Sequence, residues 1–501
     1  MTESIGSSAS ERVVKKGNKK DSLFYNFRNF LAIDEREFFI QLAQKPTGKL
    51  LIVIIAMLTT VPHLGYWYSA LAIFGAMLAV NYTKTRALIL FVMTWFIALL
   101  ADGLGDVDIL ENISHVINQE QQPGLSSAVL AIGFLVLLFF ISACILHYVR
   151  RVPQSLFARH PLITLLIVEL FLCVIGSQDF IKGELRVILW AAIFIFTTYL
   201  WFLSYAIVDQ RLPNPPKQLL QMAVLRSFWS PSYLPFGKGA RYLQKHLSKT
   251  EHELGVTQLK AIKLLIWANV LHGISMLLVW IFMDQLLLPN LSDAIDLFLM
   301  GKPHPRLINW ASLILSTTRY SLSIAFWAGL FIGIARLAGY RLPRGCWRPL
   351  ESRNLMEYFN RSHYYFKELL VDFFFFPTFF RFFRNYPRIR IFFATFMAAG
   401  VGNAIWHFFR DIDMIAMHGV INALDSFYSY IFYSIVLAIG VGISQVRSTT
   451  EIRPALTISS RIYSFSIVWT FVVCMHIFSD GSRNHSLGER LFFLGSILGV
   501  V

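Results

Sequence analysis

The chain has 501 residues, of which 55% are hydrophobic and only 15% charged, and its mean hydropathy is +0.55. So few charges exclude an ordinary soluble domain and define an integral membrane protein. The formal net charge of +15 would point to nucleic acid in a soluble protein, but here the basic residues sit mainly between apolar segments and report orientation, so no nucleic-acid partner is expected.

Residues 1–49 begin as a polar Ser/Lys-rich tail and continue into Phe24, Phe27, Phe30 and Leu31 at helical spacing, without an apolar core followed by a cleavage site. This predicts a cytoplasmic tail leading to an interfacial helix rather than a secretory signal. Residues 50–501 read as one transmembrane domain without an internal repeat. The expected fold is all-α, a polytopic transmembrane helical bundle of about eleven or twelve membrane segments, some too short to span without kinks. The segments fall at 50–61, 66–80, 87–101, 128–148, 162–176 and 187–208, then at 261–283, 310–337, 391–409, 426–443, 462–478 and 491–501. The positive-inside rule assigns Lys15, Lys16, Lys84, Arg86, Arg150, Arg151 and the basic stretches 211–249 and 336–367 to the cytoplasm. Asp102, Asp106, Asp108, Glu111 and Glu120 occupy a segment free of Lys and Arg, which fits the outer face. Cys144, Cys173, Cys346 and Cys474 are scattered, so neither a disulfide framework nor a metal site is indicated.

Two long connections interrupt the spans. The first, 209–260, contains Trp229-Ser-Pro-Ser-Tyr-Leu-Pro-Phe-Gly-Lys-Gly239; its Gly237-Lys238-Gly239 lacks the strand, spacing and Ser/Thr of a phosphate-binding loop and reads as a structured turn. The second, 338–390, holds Phe373 to Phe376, Pro377, Phe379 and Phe380 between Lys367 and Glu368 on one side and Arg381, Arg384, Arg388 and Arg390 on the other. Basic flanks on both sides of a short, proline-broken apolar run predict a re-entrant hairpin from the cytoplasm, with His363 at the membrane edge and the following helix aiming His407 into the interior.

Polar groups inside apolar helices are costly and mark sites. Asn403 and His407 are four apart and share a helical face with Ala399 and Gly400. His407 is either a proton acceptor or a core histidine bonded to a neighbouring helix; Asn403 either polarises a carbonyl or ties two spans together. Ser312, Ser316, Arg319, Tyr320 and Ser323 form a second stripe, in which Arg319 meets an anionic substrate group or pairs with Glu169 from another span.

Between residues 339 and 410 the pattern resembles the membrane-bound O-acyltransferase (MBOAT) family, whose bacterial members acylate alginate or transfer D-alanine onto teichoic acids. The resemblance is carried by Arg341-Leu-Pro, Phe359-Asn-Arg-Ser-His363, the Phe-rich hairpin and Asn403-Ala-Ile-Trp406-His407. Ser362 stands where a tryptophan commonly precedes the first histidine, and Phe408 where a glycine often follows the second, which leaves subfamily and substrate open. The resemblance implies transfer of an acyl group to a hydroxyl of a glycan, lipid or other acceptor. It implies His407 and His363 as catalytic residues, Asn403, Trp406 and Arg361 as substrate-binding residues, to which the polar stripe adds Arg319, and no tightly bound cofactor. The donor would be acyl-CoA or an acyl-carrier thioester, and the setting a bacterial inner membrane with the N-terminus cytoplasmic. The competing readings are a transporter or flippase whose path is lined by Arg319, Glu169 and His407, and a non-catalytic membrane scaffold.

Overall fold

The computed structural model describes residues 32–100, 109–230, 234–450, 457–479 and 484–500. Among them the regular structure is helical, and the only β pairing is one isolated bridge between Leu247 and Tyr340. Among the described residues eight helices are long and apolar enough to cross a membrane: Pro46–Leu64, Ser127–Arg151, Glu184–Gln210, Glu251–Gln285, Arg306–Leu337, Pro387–Arg410, Ile412–Ser448 and Ile458–Ser479. Tyr66–Asn81, Arg86–Leu99 and Pro161–Gly176 are shorter apolar helices. The segment expected at 491–501 is instead part of a 12-residue helix, Leu487–Leu498, too short to cross. The chain is a polytopic, all-α, multi-pass membrane protein. Leu58, Trp67, Phe74, Phe140 and Phe171 turn outward, as apolar side chains do when the surroundings are lipid tails.

Helix ends follow local chemistry. Ser126, Thr250, Asn290 and Asn354 each accept a hydrogen bond from a backbone N–H of the first turn, satisfying donors that have no partner inside the helix. Gly419, at φ 77°, breaks the run from Ile412 to Thr450 with a left-handed residue that a side chain would strain.

Among the described residues two large apolar cores divide the bundle, with two smaller clusters beside them. One gathers helices Ser127–Arg151, Pro161–Gly176 and Glu184–Gln210, with Trp190 and Trp201 fully buried, against residues of the 364–416 stretch such as Leu369, Trp406 and Ile415. The other joins helices Pro46–Leu64, Tyr66–Asn81, Glu251–Leu278 and Arg306–Leu337. Gly333 lets the last two meet closely: a Cβ there would lie 2.5 Å from Leu265 Cδ2.

The connection after Gln210 folds inward between these cores. Trp229 and Ser230 are fully buried. Buried carbonyls without helical partners need other donors, and the spans supply them: Thr94 Oγ1 donates to Ala223 (2.7 Å) and Trp95 Nε1 to Met222 (3.3 Å) at the end of the short helix Gln218–Ala223, and Tyr68 Oη to Phe228 (2.5 Å) in the irregular stretch after it. The Phe-rich stretch is a helical hairpin. Its first arm comprises Tyr364–Leu370, a π turn Val371–Phe375 and Phe376–Arg381, and its second is Pro387–Arg410. Arg390 Nε donates to the Phe379 carbonyl at 2.5 Å near the tip, while Phe366 reaches Trp406 at the other end, so the arms run antiparallel.

The expected interfacial residues Phe24, Phe27, Phe30 and Leu31, and Asp102, Asp106 and Asp108 of the acidic loop, lie outside the described residues. Glu120 of that loop accepts from Arg186 Nη1 at 3.0 Å and from the Gly183 amide at 2.7 Å.

Candidate functional site

One cavity of about 650 Å³ lies between the hairpin and helices Arg306–Leu337 and Ile412–Thr450. His363, His407, Asn403 and Trp406 all line it. The hairpin is what brings the histidines together: Phe366, three residues after His363, packs on Trp406 at 4.8 Å and on His407 at 5.7 Å between ring centroids. His363 therefore lies beside His407, at the end of the hairpin opposite its tip. The first arm is simply longer than its apolar run, because it starts at Tyr364.

His363 has a defined tautomer. The Ser362 hydroxyl carries one proton and donates it to the Tyr358 carbonyl at 2.8 Å. The 2.7 Å contact between Ser362 Oγ and His363 Nδ1 must then be donated by the ring, which leaves Nε2 as a proton acceptor. Burial pushes the imidazole down to about 4, so the ring is neutral near pH 7.

His407 sits in an aromatic cradle, with ring centroids 4.4 Å from Tyr430 and 4.7 Å from Trp406. Tyr430 Oη donates to Asn403 Oδ1 at 3.3 Å, tying the two helices together beside the ring. Trp406 Nε1 is buried with no hydrogen-bond partner among the described residues. A π turn, Met397–Gly402, immediately precedes Asn403 and shifts the phase of the helix that presents Asn403, Trp406 and His407.

Two expected site residues lie elsewhere. Arg319 does not line the cavity; its Nη1 points at Met283 Sδ, 3.2 Å away. It does not pair with Glu169, which is held by the Thr197 hydroxyl. The reason is helical phase: Tyr320, Ser323 and Ile324 take the cavity face of Arg306–Leu337, while Ser316 turns to His476 Nε2 at 3.0 Å. Arg361 also stays outside, donating to the Arg348 carbonyl at 3.3 Å, lying 3.6 Å from Glu351 Oε2 and over Trp347.

Several lining residues carry no expectation from sequence. Tyr430, Tyr433, Leu437 and Val441 do so although their three- and four-residue spacing is legible. Arg410, one turn beyond His407, also lines the cavity and pairs with Asp411 at 2.9 Å. Lys367 marks another end, and close by Lys238 bridges Glu368 (2.6 Å) and Asp372 (2.8 Å), with Tyr205 Oη donating to Asp372 at 2.9 Å. Gly237 at φ 112° and Lys238 at φ 54° make the turn that delivers this ammonium, so the Gly-Lys-Gly sequence is a structured turn. Burial opposes ionisation of Glu368, but Lys367 and Lys238 overcome it and hold the carboxyl below its ordinary value. At Asp372 burial prevails and the carboxyl sits above its ordinary value.

No protein-family model matches the chain, and no curated protein matches it.

Proposed function

We propose that this chain is a membrane-embedded O-acyltransferase similar to the MBOAT family, moving an acyl group from a thioester donor to a hydroxyl of an envelope glycan, lipid or other acceptor. The observation that carries the reading is that the two histidines of the family-like pattern, His363 and His407, line one cavity with Asn403 and Trp406. Acyl transfer needs a base for the hydroxyl proton and donors for the carbonyl oxygen of the tetrahedral intermediate. In the proposed reaction the hydroxyl oxygen attacks the thioester carbonyl as His407 takes its proton. The C–S bond then breaks, the ester C–O bond remains, and the proton passes to the leaving thiolate. Neutral His363, with Nε2 as acceptor, orients the donor or acceptor, and Trp406 Nε1 is an unspent hydrogen-bond donor one residue from His407. The donor is acyl-CoA or an acyl-carrier thioester, the setting a bacterial inner membrane, and the N-terminus cytoplasmic.

A translocation path through Arg319, Glu169 and His407 loses support, because Arg319 and Glu169 do not line the cavity that holds His407. The test compares ester-linked substituents on envelope glycans and lipids, by mass spectrometry, from cells with wild-type protein, with His407→Ala and with no gene. The expected result is a substituent present only with wild type. A substituent retained at wild-type level by His407→Ala would refute the reading.

A further inference from the structure

We propose that the tip of the hairpin is a docking site for an anionic phospholipid of the surrounding bilayer, with the lipid phosphate held among Arg159, Arg211 and Arg381. The site goes beyond the acyl-transfer reading and does not rest on it. Several helix ends meet here. Helix Ser127–Arg151 and the short helix Leu156–Arg159 lead to His160, from which Pro161–Gly176 starts. Helix Glu184–Gln210 packs on Leu156–Arg159 and ends directly before Arg211, and Arg381 closes the first arm of the hairpin. Arg381 Nη2 donates to His160 Nε2 at 3.1 Å, which joins the hairpin to this group. Ends of apolar helices gathered together mark the boundary of the hydrocarbon, where lipid phosphates begin.

Positive charge converges at the tip without an answering carboxylate. Arg159, Arg211 and Arg381 are exposed, and among the described residues none of them forms an ion pair. The segments that build the tip bring no acid, since 141–168, 211–250 and 373–410 contain neither Asp nor Glu. Asp209, two residues before Arg211, is buried and accepts from the Arg241 amide at 2.9 Å instead. Arg159 Nη2 reaches only the neutral Gln154 Oε1, at 2.9 Å. A guanidinium can only donate, so His160 accepts at Nε2 and is a neutral ring with its proton on Nδ1. Burial, then Arg381, Arg211 and Arg159, hold that imidazole below its ordinary value, the mark of a positive field with nothing to offset it. Like charges drawn together repel, and a phosphate is the group that guanidiniums take up best, through paired N–H donors. The neighbouring side chains select a lipid as its source. Leu156, Phe380, Phe382 and Tyr386 are each more than half exposed, and such side chains beside arginines suit the layer where acyl chains meet headgroups. A soluble phosphate would leave them uncovered.

The test titrates the purified, delipidated full chain with phosphatidylglycerol and, separately, with phosphatidylcholine, and reads the bound lipid by native mass spectrometry. Phosphatidylglycerol should fill a first site that phosphatidylcholine does not. A basic side chain facing anionic lipid is worth about fivefold in affinity, so Arg211→Gln/Arg381→Gln should weaken that site ~30-fold. Arg384, which donates to the Phe380 carbonyl of its own arm, and Arg388 are exposed at the same tip and serve as the control. Arg384→Gln/Arg388→Gln removes the same charge and should weaken the site by less than about fivefold. Equal losses in the two folded variants would show diffuse attraction in place of a site, and equal binding of both lipids would show no headgroup preference; either overturns the proposal. Inorganic phosphate and polyglutamate, added to the chain in phosphatidylcholine nanodiscs, probe the other sources of negative charge. If either stabilises the chain against heat in an Arg381-dependent way while phosphatidylglycerol does not, the cluster belongs to a soluble phosphate or to an acidic protein, and the lipid site is refuted.

Discussion

The two long connections rich in basic residues fold in different styles. The second, from Tyr364 on, becomes a regular hairpin whose arms satisfy their own backbone, so its apolar runs and proline are readable in the sequence. The first is irregular from Val224 to Ser230, where Trp229 is fully buried; Tyr68 reaches in from a distant span to bond the Phe228 carbonyl, and Thr94 and Trp95 bond the carbonyls of Ala223 and Met222 at the end of the short helix before it. The difference teaches that hydropathy reports helices that need only themselves, and is blind to buried backbone whose partners are more than a hundred residues away.

The two connections meet at Lys238, and this junction is the place to break the comparison. Lys238→Met leaves Glu368 and Asp372 part-buried without their shared ammonium, which should lower stability by about 3 kcal/mol. The variant Lys238→Met/Glu368→Gln/Asp372→Asn should recover most of that loss, since the cost lies in stranded charge and not in missing volume. Thermal unfolding in nanodiscs measures both. A Lys238→Met protein as stable as wild type would mean that the first connection is not tied to the hairpin through charge.

Within the hairpin, Ser362→Ala removes the acceptor that fixes the His363 ring. Transfer should fall by about tenfold, on the scale of one lost hydrogen bond, and Ser362→Thr should restore it. An unchanged rate with Ser362→Ala would show that the tautomer does not matter.

The same ring predicts a pH dependence. Its folded value of about 4 lies below the ordinary histidine value of 6.5, so the unfolded chain binds the proton first as pH falls. Stability should be intact above about pH 6.5 and decline progressively toward pH 4. His363→Gln should flatten that part of the decline, and a wild-type curve with the same slope as the variant would contradict the buried neutral ring.

The smallest effects belong to the residues that sequence reasoning assigned to the site and the fold leaves outside it. Arg319→Leu and Arg361→Gln should change transfer by less than about twofold, the range of substitutions remote from a site. A large loss in either folded variant would require a second cavity or a moving segment.

The helical bundle, the hairpin and the intrusion of Asn403 and His407 were legible because apolar length and polar intrusion are local signals, whereas His363 and Trp406 were joined to them only through the resemblance. Arg319 misled because a stripe at helical spacing is wide enough to hold two faces, and only packing against Met283 decides which one an arginine takes. Lys238 was legible as a turn but not as a bridge, since Glu368 and Asp372 are brought to it only by the hairpin.

The central claim is that His407 performs chemistry in a cavity it shares with His363. Its most direct test is turnover of a labelled acyl thioester by purified wild type and His407→Ala, with monodispersity confirming that both are folded. General-base assistance is worth ~10²–10⁴-fold, so the variant should lose at least two orders of magnitude. A folded His407→Ala protein with near-wild-type turnover would contradict the account.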